Sequence, residues 1–215
     1  MGHLNLAAEI TINLAYEDDL SLEMLLRILK SPGVLSSEKG FSVGKCFPGR
    51  GYGFLKRNIS GFNKASKGMP YLILTDLDKK ECAPLLIREW LPATANHNLI
   101  FRIAVREVES WVLADRAGFA DFLGISKSRV PDRPDELPDP KAYLIDLARS
   151  SRKRELREDI VPKRGSTAKQ GPAYNERLIS FVRVAWNPSQ ARRNSPSLER
   201  TIMALERFIP KWEAL

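Results

Sequence analysis

Three stretches in the first half of the chain have the pattern of a β-strand followed at once by a helix. They are residues 10–16, 71–75 and 99–105. The first and third alternate apolar with small or polar residues, whereas the second is wholly apolar, which is typical of a strand buried on both faces. Strands that alternate with helices indicate a parallel α/β sheet with right-handed crossovers. The pattern therefore predicts an α/β fold with a mainly parallel sheet flanked by helices.

Acidic residues stand where each of these strands ends. Glu17 follows the first strand, Asp76 and Asp78 follow the second, and Glu109 begins the helix after the third. In parallel sheets, functional sites lie outside the carboxyl ends of the strands. Hard dications prefer carboxylate oxygens, together with waters and substrate phosphates. We therefore expect these four residues to be metal ligands and catalytic residues, with Mg²⁺ or Mn²⁺ as the cofactor.

An alternative interpretation is that each acid only caps the helix that follows it. The sequence favours this interpretation for Asp18 and Asp19, which precede a run of leucines at helical spacing. It favours a functional role for Asp76 and Asp78, because residues two apart on a strand project to one side. Two such carboxylates repel each other, and a bound dication would remove that repulsion.

The charge of the chain suggests a polyanionic partner. The formal net charge is +8, from 34 Lys and Arg against 26 Asp and Glu. A basic surface gathers nucleic acid by releasing counterions, although many basic proteins bind none. With only two histidines and two cysteines, the chain has little to offer a zinc site, so we expect reduced thiols in a cytoplasmic protein. No apolar run approaches the length of a membrane span, so we expect no membrane partner.

Two basic stretches are candidates for nucleic-acid binding. A glycine-rich loop is predicted over residues 48–53, and it precedes a basic helix. Glycines let backbone amides approach phosphate closely, although a glycine turn without a ligand is the alternative. A second stretch, residues 150–171, is rich in basic residues and poor in apolar ones, so we expect it to be a poorly ordered binding segment. The candidate residues are Arg50, Lys56, Arg57, Arg152, Lys153 and Arg154.

The second half of the chain differs in character from the first. After a Pro- and Asp-rich loop, apolar spacing predicts several helices. We therefore place an α/β core at residues 1–124 and a helical C-terminal extension packed on it at residues 125–215. Two lysines there, Lys141 and Lys169, are candidates for stabilising negative charge on a phosphate.

Specific stretches of the chain resemble a known family. The order strand–Glu, then strand–Asp-x-Asp, is similar to the Toprim domain of topoisomerases, primases and overcoming-lysogenization-defect nucleases. More specifically, the chain resembles a bacterial Toprim-like family, domain of unknown function 4276. That resemblance is carried by YLILTDLD at 71–78, FRIAVREVESWVLAD at 101–115, DPK at 139–141, KQGPAY at 169–174 and SPSLER at 195–200.

The resemblance implies a Toprim-like fold and metal-dependent cleavage of DNA or RNA. It also implies an SMC-like ATPase as a possible partner in a bacterial defence module, and a homo-oligomer is possible. Glu109 is preferred over Glu107 because it stands in the motif-like position before Trp111. Glu17 departs from the Toprim pattern because Asp18, not glycine, follows it, and this departure favours the catalytically silent alternative. The alternatives are a catalytically silent nucleic-acid-binding or regulatory subunit of an ATPase and, less favoured by the charge, a phosphate-ester enzyme for small substrates.

Overall fold

Four parallel strands form the sheet in a computed structural model that describes residues 9–31, 40–49, 52–91 and 94–212. The strands are β1 (Glu9–Tyr16), β2 (Gly40–Pro48), β3 (Tyr71–Asp76) and β4 (Leu99–Ala104), in the order β2-β1-β3-β4. As predicted, the apolar strand β3 lies inside the sheet, paired with β1 on one side and β4 on the other.

Helices cover both faces of this sheet. The helix α1 (Asp19–Lys30) follows β1, α2 (Tyr52–Ala65) follows β2, and α3 (Ala83–Trp90) follows β3. Side chains of α1 belong to one hydrophobic cluster, the large core, whereas those of α2 and α3 belong to a second, the small core. The chain steps from β1 to β2 in one direction and from β3 to β4 in the other. The topological switch point therefore lies between β1 and β3.

The rest of the chain is helical and packs over the large core. Its helices are α4 (Val108–Ala114), α5 (Arg116–Leu123), α6 (Pro140–Arg149), α7 (Arg154–Ile160), α8 (Tyr174–Val184), α9 (Pro188–Ala191) and α10 (Pro196–Arg207). Two short 3₁₀ turns, Lys127–Arg129 and Pro134–Glu136, lie in the Pro- and Asp-rich connection. The fold is thus α/β with an all-parallel sheet flanked by helices and a helical C-terminal part, as expected.

Caps and a proline mark the starts of three helices, and the predicted cap at Asp18 is confirmed. Asp18 caps α1, since its carboxylate accepts a hydrogen bond from the Ser21 amide at 2.8 Å. Ser195 caps α10 through the Leu198 amide at 3.2 Å, and Pro84 lies in the first turn of α3. No helix among the described residues has both the length and the apolar composition that membrane crossing requires.

Two expectations about loops were wrong. The segment over residues 150–171 is not poorly ordered throughout, because α7 forms within it. Leu156 and Ile160, one helical turn apart, are both buried in the large core, and the Gly171 amide donates to the Ile160 carbonyl at 2.9 Å. Two well-placed apolar residues thus anchor a segment whose composition is otherwise polar. The glycine-rich loop is also shorter than predicted, because α2 already begins at Tyr52.

Candidate functional site

Glu17 and Asp76 meet at the switch point between β1 and β3. Glu17 directly follows β1, and Asp76 is the last residue of β3. The Glu17 Oε1 atom accepts a hydrogen bond from the Thr75 hydroxyl and another from the Asp76 amide at 3.1 Å. The crevice at a switch point is where open α/β sheets bind ligands. The sheet therefore places two of the predicted carboxylates at the position where a ligand is expected.

Asp76 has the most strongly raised pKa of the four predicted carboxylates. Its Oδ1 atom accepts a hydrogen bond from the Val108 amide at 3.0 Å, so the side chain also caps the N-terminus of α4. Burial raises the pKa of Asp76 well above its usual range, and the negative charges of Glu109, Glu17, Asp18 and Asp78 raise it further. Each of the other three predicted carboxylates is therefore close enough to act on Asp76.

Asp78 lies at the mouth of the site. Its backbone has a positive φ of 51°, a conformation that non-glycine residues rarely adopt, and its amide donates to the Arg106 carbonyl at 2.9 Å. The side chain is exposed and faces an open cavity of about 270 Å³. The cavity is lined by Asp78, Lys79, Arg106, Glu107, Pro138 and Asp139.

Glu109 is buried and already has two partners. The Tyr174 hydroxyl donates to Glu109 Oε1 at 2.9 Å, and Lys141 Nζ lies 3.4 Å from the same oxygen. Lys141 Nζ also lies 5.1 Å from the centre of the Tyr174 ring. Burial lowers the pKa of Lys141, but the negative charges of Glu109 and Glu107 outweigh that effect and raise it overall. Lys141 is therefore a fixed positive charge inside the acidic site.

Of the other predicted basic residues, those that the structure describes have no contact with this cluster. Lys169 is exposed and, within the part of the chain that the structure describes, shares no hydrogen bond or ion pair with these acids. Arg50 lies outside the described residues. Lys56 forms an ion pair with Glu89 at 2.6 Å, and its neighbour Arg57 is exposed.

The basic residues at the start of α7 are on the other side of the sheet from Lys56 and Arg57. Arg152 is exposed, Lys153 Nζ donates to the Asp121 carbonyl at 3.0 Å, and Arg154 pairs with Glu158 at 2.7 Å. Since α7 packs on the large core and α2 on the small core, the two predicted basic patches are separate surfaces.

The carboxylate oxygens of the site are ligands that a hard dication prefers, but their present arrangement does not form a complete coordination site. Among residues 9–31, 40–49, 52–91 and 94–212, no three His, Cys, Asp or Glu side chains form a group ready to hold a metal ion. Glu17 and Asp76 nevertheless offer the oxygen ligands that Mg²⁺ and Mn²⁺ prefer. The raised pKa of Asp76 reflects an excess of negative charge that a cation would offset. Glu109, in contrast, has its charge balanced by Lys141.

Sequence reasoning missed three members of the site and undervalued a fourth. Thr75 and Tyr174 hold Glu17 and Glu109 respectively, and Asp139 lines the cavity. Thr75 and Tyr174 both stand in the stretches that carry the family resemblance, which was the available signal. Glu107, over which the sequence pattern preferred Glu109, is partly buried and accepts a hydrogen bond from the Lys141 amide at 3.2 Å.

Glu107 should make stability depend on pH. Burial, and after it the charge of Glu109, raises the pKa of Glu107 to about 7. A raised carboxyl pKa contributes stability that is fully present below the unfolded value of about 4.3, and that contribution is lost as pH rises through about 7. We expect Glu107→Gln to flatten the fall in unfolding free energy over this window, measured by urea titration at several pH values. Glu136→Gln, at an exposed glutamate, is the control. A profile like that of wild type would contradict the assignment.

Tyr174 should contribute to stability through its buried hydroxyl. In Tyr174→Phe the Glu109 carboxylate loses a donor inside the protein, which costs about 1–3 kcal/mol of unfolding free energy. The matched control is Tyr143→Phe, because the Tyr143 hydroxyl donates to the Arg129 carbonyl at an exposed position. If both substitutions lower the unfolding free energy equally, the hydrogen bond to Glu109 contributes no more than an exposed hydrogen bond does.

Comparisons of the chain with family models, with curated proteins and with solved structures found no match. The resemblance to the Toprim-like family therefore rests on the sequence stretches described above. Functional inference for this chain accordingly depends on the chemistry of the site.

Proposed function

We propose that this protein is a metal-dependent nuclease that hydrolyses phosphodiester bonds in nucleic acid. The observation that carries the proposal is the position of Glu17 and Asp76 at the switch point, joined by a hydrogen bond and surrounded by further acids. A single buried carboxyl group can stay protonated and needs no cation. Several carboxylates that are close together and partly shielded from water favour the binding of a cation, because it offsets their repulsion. The net charge of +8 supports a polyanionic substrate despite this acidic site.

The roles of the residues follow from their contacts. Glu17 and Asp76 would hold Mg²⁺ or Mn²⁺, with Asp78 contributing from the mouth of the site. A metal ion bound there supplies an activated water and neutralises charge on the scissile phosphate. Thr75 orients the Glu17 carboxylate by donating to Oε1. Lys141, held beside Glu109, offers positive charge to the phosphate oxygens.

A second candidate function is a catalytically silent subunit that binds nucleic acid or regulates an ATPase partner. The engagement of Glu109 by Lys141 and Tyr174 favours it, because a paired carboxylate is a poorer metal ligand. In either case, the low cysteine content suggests a cytoplasmic protein. The family resemblance suggests that it acts with an SMC-like ATPase in a bacterial defence module, and a homo-oligomer is compatible with both candidates.

Cleavage assays with and without metal separate the two candidates. Supercoiled plasmid and single-stranded RNA are incubated with the protein in Mn²⁺, in Mg²⁺ and in excess chelator. The nuclease proposal expects nicking or cleavage in at least one metal and none in chelator. Cleavage that persists in chelator would contradict a metal-dependent mechanism, and binding without cleavage in any metal would favour the silent subunit.

The start of α7 should belong to the nucleic-acid footprint. Replacing Arg152, Lys153 and Arg154 with Ala should weaken binding and reduce the slope of log affinity against log salt by about 2 for a single strand, if all three neutralise phosphates. Fluorescence anisotropy at several salt concentrations measures that slope. An unchanged slope would place these residues outside the footprint.

A further inference from the structure

A partly buried arginine on the edge strand β4 has one buried donor without an acceptor. Arg102 follows Ile100 and precedes Ala104 on the face of β4 that packs on the large core. Its Nε atom is buried and, within the described residues, has no hydrogen-bond partner. Buried donors of this kind are rare in folded proteins, and a missing ion or ligand is one established reason for them.

A second arginine lies nearby and adds to the positive charge. Helix α10, which carries Arg200, packs against β4. Burial lowers the pKa of Arg102, and the positive charge of Arg200 lowers it further. Across the residues that the structure describes, neither arginine forms an ion pair with a carboxylate. The positive charge of Arg200 acts on the carboxylate of Asp135. The two oxygens of Asp135, however, accept hydrogen bonds from Ser195 and Ser197.

We propose that Arg102 and Arg200 form an anion site that binds a phosphate of a nucleic-acid strand. This inference deepens the proposed function and rests on it for the choice of phosphate. An arginine fork suits the oxygens of a phosphate. On binding, the Arg102 side chain would turn outward, so that a phosphate oxygen supplies the acceptor that its Nε atom lacks. Arg102 pairs in register with Leu74, two residues before Asp76 on β3. Its Cα therefore lies about 7 Å along the strands from the level of the carboxylates.

The position of the two arginines beside the carboxylates explains how a polyanion can bind next to an acidic site. One phosphate of the nucleic-acid strand would contact Arg102 and Arg200 at the outer edge of β4. Another phosphate of the same nucleic-acid strand would lie against Glu17 and Asp76. Arg200 stands one turn into α10, whose first turn is tied to the carboxyl end of β4 by the Val105 amide and Ser197 Oγ at 3.4 Å. The anion site and the carboxylates are thus held by the same end of the sheet.

The test is binding in the absence of metal, so that it does not depend on catalysis. A labelled single-stranded oligonucleotide is titrated with protein in chelator by fluorescence anisotropy. We expect Arg102→Met to weaken binding about tenfold, as for loss of a charged hydrogen bond, and to reduce the salt slope by about 0.7. Arg200→Met, at an exposed position, should act in the same direction. The matched control is Arg88→Met, which removes one exposed charge from α3 on the other face of the sheet.

Two further arms distinguish a binding role from a structural one and identify the anion. Without oligonucleotide, Arg102→Met should unfold at the same temperature as wild type or a higher one, because it removes an unsatisfied buried donor. Inorganic phosphate should compete with the oligonucleotide for the wild-type protein and compete less for Arg102→Met. Polyglutamate should compete equally for the two proteins. Equal weakening by Arg102→Met and Arg88→Met, or competition by polyglutamate that depends on Arg102, would overturn the proposal. Loss of cleavage with binding intact would overturn only the proposed nuclease function.

Discussion

Asp76→Asn should lower metal-dependent cleavage by about 100-fold or more while leaving the fold intact. The substitution removes a charged ligand without changing the size of the side chain. Losing an outer-shell partner of a metal ligand already lowers metal affinity or activity by about 10- to 100-fold, so losing the ligand itself should have at least the larger effect. Asparagine keeps a carbonyl oxygen for the Val108 amide, so the cap on α4 survives. Plasmid nicking in Mn²⁺ and circular dichroism measure the two effects. Full activity in the variant would refute the assignment of Asp76.

The same substitution should stabilise the metal-free protein at neutral pH. Burial, followed by the charge of Glu109, raises the pKa of Asp76, so its contribution to stability is present below the unfolded value of about 3.9 and lost as pH rises. Each unit by which the pKa is raised corresponds to about 1.4 kcal/mol. Asp76→Asn should therefore unfold at a higher temperature than wild type at pH near 7, with the difference vanishing at acidic pH. Asp146→Asn, at an exposed aspartate, should show neither effect.

Saturating Mn²⁺ should reverse the order of these two stabilities. The ion binds the folded wild type and stabilises it by mass action, whereas the variant lacks a ligand and gains less. A wild-type melting temperature that does not respond to Mn²⁺ would count against the metal site even if the metal-free difference is seen. This readout needs no substrate and therefore separates metal binding from catalysis.

The part of the site formed by strand ends was predictable, because local sequence patterns determine it. An apolar run ending in Asp76 indicated a buried central strand, and parallel strands bring their carboxyl ends to one edge. The contact between Tyr174 and Glu109 was not predictable in this way. The two residues are 65 positions apart, and the contact depends on where tertiary packing against α1 and α7 places α8, which no short-range pattern specifies.

The order of α7 was missed for a related reason. Composition over residues 150–171 favours disorder, since the segment has few apolar side chains. Only Leu156 and Ile160 make the helix amphipathic, and their burial depends on the surfaces of α6 and α8. The free energy that orders α7 therefore comes from tertiary contacts and not from the segment itself.

The indole of Trp186 ties the helical C-terminal part to the α/β half. Trp186 and Trp111 are both fully buried in the large core. The Trp186 Nε1–H group donates to the Trp111 carbonyl at 2.9 Å, and the Trp186 carbonyl accepts from Arg27 Nε at 3.1 Å. These contacts join α1, α4 and the segment after α8. If they hold the two halves in one cooperative unit, a defect at Trp186 must affect both.

Trp186→Ala should therefore lower the unfolding free energy by about 3–5 kcal/mol, the usual effect of deleting a buried aromatic side chain. That is a large fraction of the roughly 5–15 kcal/mol that stabilises an ordinary domain. We expect a single urea transition, seen at the same midpoint by far-ultraviolet circular dichroism and by tryptophan fluorescence, with an unchanged m-value. Trp212→Ala is the matched control, since Trp212 keeps 57% of its surface exposed. Two separated transitions, of which only one shifts in Trp186→Ala, would show instead that the C-terminal helices unfold independently of the sheet.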